Sequence, residues 1–251
     1  MIQKITSVQH PIVKHIVKLR QNRDYRYDHN SLVIEGVKLI SEISQDQRYK
    51  AVFALDESLL PKGIKSDEIF IVTESILHKI STLTTPEGIV AEISMPQPAS
   101  LKGLNKIIIL DGVGDPGNFG AILRSAIALG WDGVFILENS CDPFNDKAMR
   151  AARGATFRLP LAWGNWVELK KLIKANKLEP LVADLDGVNL ADVKVDKKIA
   201  LVLGNESLGV SEEAKSICKS VTIPMPGKME SLNVSVAGGI LMYALGTSGK
   251  K

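Results

Sequence analysis

The 251-residue sequence holds only two cysteines, Cys141 and Cys218. They lie far apart and match no metal-ligand or redox spacing, which excludes a disulfide framework and a thiolate metal site and leaves two free thiols, as in a reducing cytosol. No apolar run approaches the roughly 18 residues that a membrane span requires. The segment Met1 to Ser7 has no apolar core of the secretory kind, so no export signal is expected and the expected location is cytoplasmic. The histidines, His10, His15, His29 and His78, share no spacing, so surface or hydrogen-bonding roles are expected of them and no metal is. Internal repeats and low-complexity stretches are also missing. Net charge is a modest +3, so any charged partner has to be read from where charge lies along the chain.

With 45% hydrophobic and 24% charged residues, the composition is that of a globular protein long enough for one large domain or two ordinary ones. Residues 1–94 carry twelve Lys or Arg against twelve Asp or Glu, yet the first 26 positions are one-sided. Lys4, Lys14, Lys18, Arg20, Arg23 and Arg26 meet only Asp24 there, a pattern that suits either a solvated helix face or a phosphate backbone. Residues 7–20 read as an amphipathic helix with Pro11 near its start. Strands are expected near 32–34, 51–55, 69–72 and 89–93, with helices near 37–43 and 75–80. That describes a small α/β domain, 1–94, without a catalytic cluster. The prolines of Ser94-Met-Pro-Gln-Pro-Ala-Ser100 mark 95–105 as a stiff linker.

From Lys106 to the end at 251, strands and helices alternate. Strands are expected near 107–110, 133–137, 157–161, 180–184, 199–203 and 221–225, and helices near 118–129, 144–152, 165–175, 211–218 and 231–245. Continuous apolar strands such as Ile107 to Leu110 and Ala200 to Leu203 indicate a parallel sheet covered on both faces.

Three loops of this region carry candidate chemistry. The first, Asp111 to Asn118, contains Gly112, Gly114 and Gly117 in a G-x-G-x-x-G pattern, with Glu138 about 20 residues further on, as in dinucleotide-binding folds. Pro116 is expected to delay the next helix to about Asn118, which puts Gly117 outside its packing face. Asn118 is then either an N-cap or a site residue. The helix that follows is apolar except for Arg124, which either meets an internal carboxylate or reaches into an open site. The second loop, Gly204 to Ser211, leaves Glu206 exposed to solvent or facing a ligand at a strand end. The third runs from Ile223 to Ser235, where Pro224 and Pro226 end a strand and Ser231 is read as the cap of the last helix.

Taken together, Asn118-Phe-Gly-Ala-Ile-Leu-Arg124, Leu203-Gly-Asn-Glu206 with Gly209, and Ile223-Pro-Met225 to Ser231-Leu-Asn-Val-Ser235 resemble the three motifs of the SpoU/TrmH family. The family's members are S-adenosylmethionine-dependent RNA ribose 2′-O-methyltransferases with a trefoil-knotted SPOUT fold. Leu32-Val-Ile-Glu-Gly36 and the basic amino-terminal helix are similar to the family's substrate-binding domain, itself similar to a ribosomal-protein fold. The resemblance implies that Arg124 is the central catalytic residue, with Asn118, Glu206, Ser231 and Asn233 lining the same site. It implies that Leu203, Gly204, Ile223, Met225 and Leu232 hold S-adenosyl-L-methionine, and that no metal is needed. It also implies a homodimer, joined through the carboxyl-terminal domain, in which one subunit supplies Arg124 to its neighbour's pocket. Gly238 and Gly239 cost a helix about 1 kcal/mol each relative to Ala, which close packing at such an interface offsets.

RNA contacts are expected from Lys14, Lys18, Arg20, Arg23 and Arg26, and from Arg150 and Arg153 in a second basic cluster with Lys147 and Arg158. Ribosomal RNA, with the large subunit favoured, is the expected substrate and transfer RNA the alternative. A nicotinamide-dependent oxidoreductase resting on Gly112 to Gly117, and a non-catalytic RNA-binding protein, are the readings from other classes.

Overall fold

A computed structural model describes residues 2–43, 47–194 and 197–247. The chain forms two compact units, residues 1–97 and 98–251; positions 248–251 lie outside the described residues.

In the first unit the order is β1 (Ile2–Ile5), α1 (Pro11–Gln21), α2 (Arg23–His29), β2 (Ser31–Glu35), α3 (Val37–Ile43), β3 (Tyr49–Ala54), β4 (Ser66–Val72), α4 (Glu74–Ile80) and β5 (Ile89–Ser94). These strands make a mixed sheet ordered β1-β4-β3-β5-β2. Val13, Ile16 and Leu19 recur at helical spacing on α1 and join Ile76, Leu77 and Ile80 of α4 in one core with Phe53 and Phe70 of the sheet. Two elements, β1 and α2, have no counterpart in the sequence reading. His10, just outside α1, accepts the N–H of Ile12 and so caps the helix that begins at Pro11, later than the expected residue 7.

That core also decides the fate of two arginines expected to meet RNA. Arg26 is 5% exposed, and its guanidinium donates to the carbonyls of Leu19 and Arg20 at the end of α1. Arg20 donates to the carbonyls of Lys79 and Ser81. Both satisfy helix-end carbonyls that lack partners of their own. Lys14, Lys18 and Arg23 remain exposed.

The second unit contains β6 (Lys106–Leu110), α5 (Pro116–Ala128), β7 (Gly133–Leu137), α6 (Asp146–Ala152), α7 (Ala155–Arg158), β8 (Leu161–Gly164), α8 (Trp166–Asn176), β9 (Glu179–Asn189), β10 (Ile199–Leu203), α9 (Glu212–Ile217), β11 (Lys219–Thr222) and α10 (Val234–Thr247). The sheet order is β11-β9-β10-β6-β7-β8, and every pairing in it is parallel. The apolar run of β6 divides residue by residue: Ile108 and Leu110 enter the core under α5 and α10, while Ile107 and Ile109 enter the core under α8 and α9. Leu101, inside the stretch expected to be a linker, is buried in the second of these cores.

Three local readings change. The stretch 157–161 is not a strand: Arg153 and Gly154 both take positive φ, a short helix follows, and the strand begins only at Leu161. Helix α5 begins at Pro116, capped by Asp115, not near Asn118. Gly117 therefore sits in the first turn, where a Cβ would approach only the Asp115 carboxylate, and makes no helix–sheet contact of the dinucleotide-binding kind. The closely packed glycine of this helix is Gly120, where a Cβ would lie 2.4 Å from the carbonyl oxygen of Ala148 on α6. Finally, α10 starts at Val234, so Ser231 belongs to the preceding loop.

Candidate active site

Chain order and sheet order part company at β6 and β10. From β6 the chain moves outward to β7 and β8; from β10 it moves the other way, past β9, to β11. Loops leaving adjacent parallel strands in opposite directions open a crevice at the carboxyl edge of the sheet. Here that crevice is a cavity of about 510 Å³. Its walls come from the loops after β10 and β11, from the carboxyl half of β9, and from Asn118 at the start of α5.

The polar side of the cavity is built around Glu206. Its carboxylate accepts the N–H groups of Gly114 and Asp115, each at 3.2 Å, and the side-chain amide of Asn118 at 3.1 Å. A carboxylate only accepts, so Asn118 must turn its NH₂ toward Glu206 and its carbonyl away. That carbonyl accepts the Asn233 side-chain NH₂ at 2.9 Å. Asn233 is then left with its own oxygen for the start of α10, where it accepts the N–H and hydroxyl of Ser235 and the N–H of Val236. Asn233, not Ser231, thus caps this helix. Each amide has one orientation that satisfies its neighbours, and Glu206 sets the direction of the whole chain.

Partial burial pushes the Glu206 carboxyl upward in pKa. The hydrogen bonds from its own backbone, Asn118, Gly114 and Asp115 outweigh it and leave the group below its ordinary 4.5.

Of the positions expected to form the site, Asn118, Glu206, Ser231 and Asn233 all line this cavity, and so do Leu203, Gly204, Ile223, Met225 and Leu232. Gly238 presses α10 against Leu203, since a Cβ there would lie 2.7 Å from the leucine side chain; the space beside Gly239 is open. The two adjacent glycines therefore need separate explanations, and only Gly238 is explained by packing inside the unit.

Arg124 does not line the cavity of its own chain. It is exposed, and six residues beyond Asn118 places it about 9 Å along α5 and about 240° around it. The ion pair that its apolar helix suggested is absent among the described residues. Arg150 and Arg153 are exposed on and beside α6. Burial foremost raises the Cys141 and Cys218 thiols to about 11 and about 12, which disfavours their thiolate forms. Sequence reasoning missed Asp184, Leu185 and their neighbours on β9, because their place on the wall depends on strand pairing and on no motif.

A crevice of this form, at the carboxyl edge of a parallel sheet, is where open α/β folds seat their ligands. The lining suits S-adenosylmethionine, with Leu203, Val221, Ile223 and Leu241 offering apolar surface for an adenine. Among the described residues, Asp184 and Glu206 are the ionisable groups of the lining, with no Lys, Arg or His against the cofactor's positive sulfur.

Residues 105–243 match the SpoU rRNA Methylase family, and residues 10–91 match the MRM3-like substrate binding domain. The chain is 29% identical over 248 residues to the 23S rRNA (guanosine(2553)-2′-O)-methyltransferase RlmP of Bacillus subtilis, covering 97% of this chain and 99% of that one. It is 27% identical to the 23S rRNA (adenosine(1067)-2′-O)-methyltransferase of Streptomyces azureus, over 96% of this chain and 93% of the relative. An AdoMet-bound rRNA methyltransferase from Sinorhizobium meliloti aligns with a TM-score of 0.86 at 27% identity, over 97% of both chains. The chain belongs to the SpoU rRNA methylase family. It is an RNA methyltransferase that uses S-adenosylmethionine.

The depressed Glu206 carboxyl makes a testable statement about pH. A group whose pKa falls on folding contributes its stabilisation fully above the unfolded value and loses it as pH drops through the folded one. The amide proton shifts of Gly114 and Asp115, followed by NMR, are expected to titrate together with a midpoint below 4.5, and to stop titrating in Glu206→Gln. A wild-type midpoint at or above that value contradicts the assignment.

Proposed function

We propose that this enzyme methylates a ribose 2′-hydroxyl in ribosomal RNA of the large subunit, in the cytoplasm, as a homodimer with a composite active site. The observation that carries the site assignment is the Glu206–Asn118–Asn233 chain, which gathers residues of all three motif loops at one edge of the cavity. When bound, S-adenosylmethionine supplies a methyl group made electrophilic by its positive sulfur. Backbone groups around Leu203, Gly204, Ile223, Met225 and Leu232 hold its adenosyl part, bent among the loops of a SPOUT knot formed by the last strands and helix.

The protein's own work is orientation and charge. Asn118 and Asn233 are fixed in rotamer and amide orientation before substrate arrives, so they position the ribose without reorganising. The Ser231 hydroxyl has no hydrogen-bond partner among the described residues and is available to the same sugar. A guanidinium such as that of Arg124 is a poor general base. It suits binding the substrate phosphate and stabilising negative charge that develops on the 2′-oxygen.

Arg124 reaches this chemistry from the partner subunit. Val236, Ile240 and Tyr243 form a stripe along α10 at 50%, 40% and 63% exposure, beside the open Gly239, and α10 packs on α5, which carries Arg124. An exposed apolar helix face of this kind is suited to a second copy of the same helix. The amino-terminal unit binds the RNA substrate; its exposed Lys14, Lys18 and Arg23, with Arg150 and Arg153 of the second unit, contact phosphates. The family match over residues 10–91 supports that assignment.

Two experiments test this reading. Labelled methyl groups from S-adenosylmethionine are expected to enter large-subunit rRNA with wild-type protein, and incorporation is expected to fall by about 100-fold or more in Arg124→Ala and in Asn233→Ala. Mixing the two inactive variants restores part of the activity, because a mixed dimer holds one intact composite site. Wild-type incorporation by Arg124→Ala, or no rescue on mixing, overturns the composite site; incorporation into tRNA alone overturns the substrate. Separately, Arg150→Ala with Arg153→Ala weakens RNA binding and flattens its logarithmic salt dependence by about 1–2. An unchanged slope removes those residues from the interface.

A further inference from the structure

Among the residues lining the cavity, Asp184 and Glu206 carry the ionisable side chains, and they differ in how much accepting capacity remains. Glu206 is taken up by three donors from its own chain. Asp184 accepts only the Ser220 hydroxyl, at 3.2 Å on Oδ2, so its Oδ1 has no donor among the described residues. A half-buried carboxylate facing a cavity with spare acceptors is suited to hydroxyl or ammonium donors of a ligand.

The backbone fixes where that carboxylate stands. Strand β9 pairs with β10 up to Val182 opposite Val202, so two residues further on Asp184 is level with Gly204. On its other side the pairing jumps from Ser220 opposite Val182 to Val221 opposite Val188, and residues 183–187 bulge out over the end of the sheet. Gly187 presses the far end of the bulge against β11, where a Cβ would lie 2.5 Å from the Val221 nitrogen. Ser220 ties down the near end through Asp184 itself. The bulge is thus a fixed wall, and its carboxylate lies between the loop after β10 and the strand leading to Ile223.

We propose that Asp184 is a cofactor-specificity residue whose carboxylate accepts hydrogen bonds from the two ribose hydroxyls of the S-adenosylmethionine adenosyl group. The proposal rests on the cofactor reading above and on the placement of Gly204 and Ile223 around the adenosyl part. A carboxylate at the end of a parallel strand can accept from both hydroxyls of a ribose at once, as acidic residues do in dinucleotide-binding folds. The methyl-transfer side lies across β10, at the loop after β6, about 10 Å away along the sheet edge. Asp184 therefore anchors the donor without touching the ribose of the RNA.

The test is calorimetric titration of two ligands that share the adenosyl ribose. S-adenosylhomocysteine keeps the amino-acid tail with its ammonium; 5′-methylthioadenosine lacks it. Asp184→Asn is expected to weaken both by a similar factor of about tenfold or more, with an unchanged thermal midpoint for the free protein and unchanged RNA binding. Ser220→Ala, which leaves the carboxylate in place but untethered, weakens both by a smaller and again common factor. Loss confined to S-adenosylhomocysteine overturns the proposal by assigning the carboxylate to the ammonium, and wild-type affinity for both ligands in Asp184→Asn overturns it outright. If the wild-type protein binds neither ligand, the cofactor reading fails with it, a result distinct from failure of Asp184 alone.

Discussion

The polar chain that begins at the Glu206 carboxylate governs the arrangement of this site. Glu206 and Asn118 are 88 residues apart in sequence, and Asn118 and Asn233 are 115 apart. Nothing local holds these residues together. One ionised group makes the first amide turn its donors inward, the first amide makes the second do the same, and the second is left to cap α10. The start of the last helix, the start of α5 and the loop after β10 are thereby locked into a single arrangement.

Little of the fold's stability comes from this chain. Each exposed hydrogen bond contributes about 0.5–1.5 kcal/mol net, whereas the sheet is buried on both faces by two apolar cores. The division of labour is physical. Burial fixes where the strands end, and the polar chain fixes how side chains meet above those ends. The Arg124 side chain stands outside both: no hydrogen bond or ion pair holds it among the described residues, and its helix packs on α10, which carries an exposed apolar stripe. A charge presented beside an exposed apolar helix face is suited to act in a neighbour's pocket, as the proposed composite site requires.

Much of this was legible in the sequence because the family motifs are contiguous and each follows a strand. Asn118, Glu206, Ser231 and Asn233, read from the motifs, all line the cavity. What stayed hidden depends on partners far along the chain. Arg20 and Arg26 look like their exposed neighbours in sequence, yet they satisfy carbonyls at helix ends. The scattered histidines include a pair, His15 and His29, whose rings lie 5.3 Å apart, and His15 bonds to Tyr25 and Glu92. Asp184 belongs to no motif; only the register jump between β9 and β11 turns it toward the cavity. Helix α5 begins earlier than expected because Pro116 occupies the first helical position, where its missing N–H costs nothing.

The central claim is that the side chains of Asn118 and Asn233 act as one unit. A double-mutant cycle on the rate of methyl transfer tests it most directly, using Asn118→Ala, Asn233→Ala and the double variant. The account predicts that the double variant loses much less than the sum of the single losses, with a coupling energy of about 0.5–3 kcal/mol. Strictly additive losses would mean that the two loops are independent, and would contradict the account.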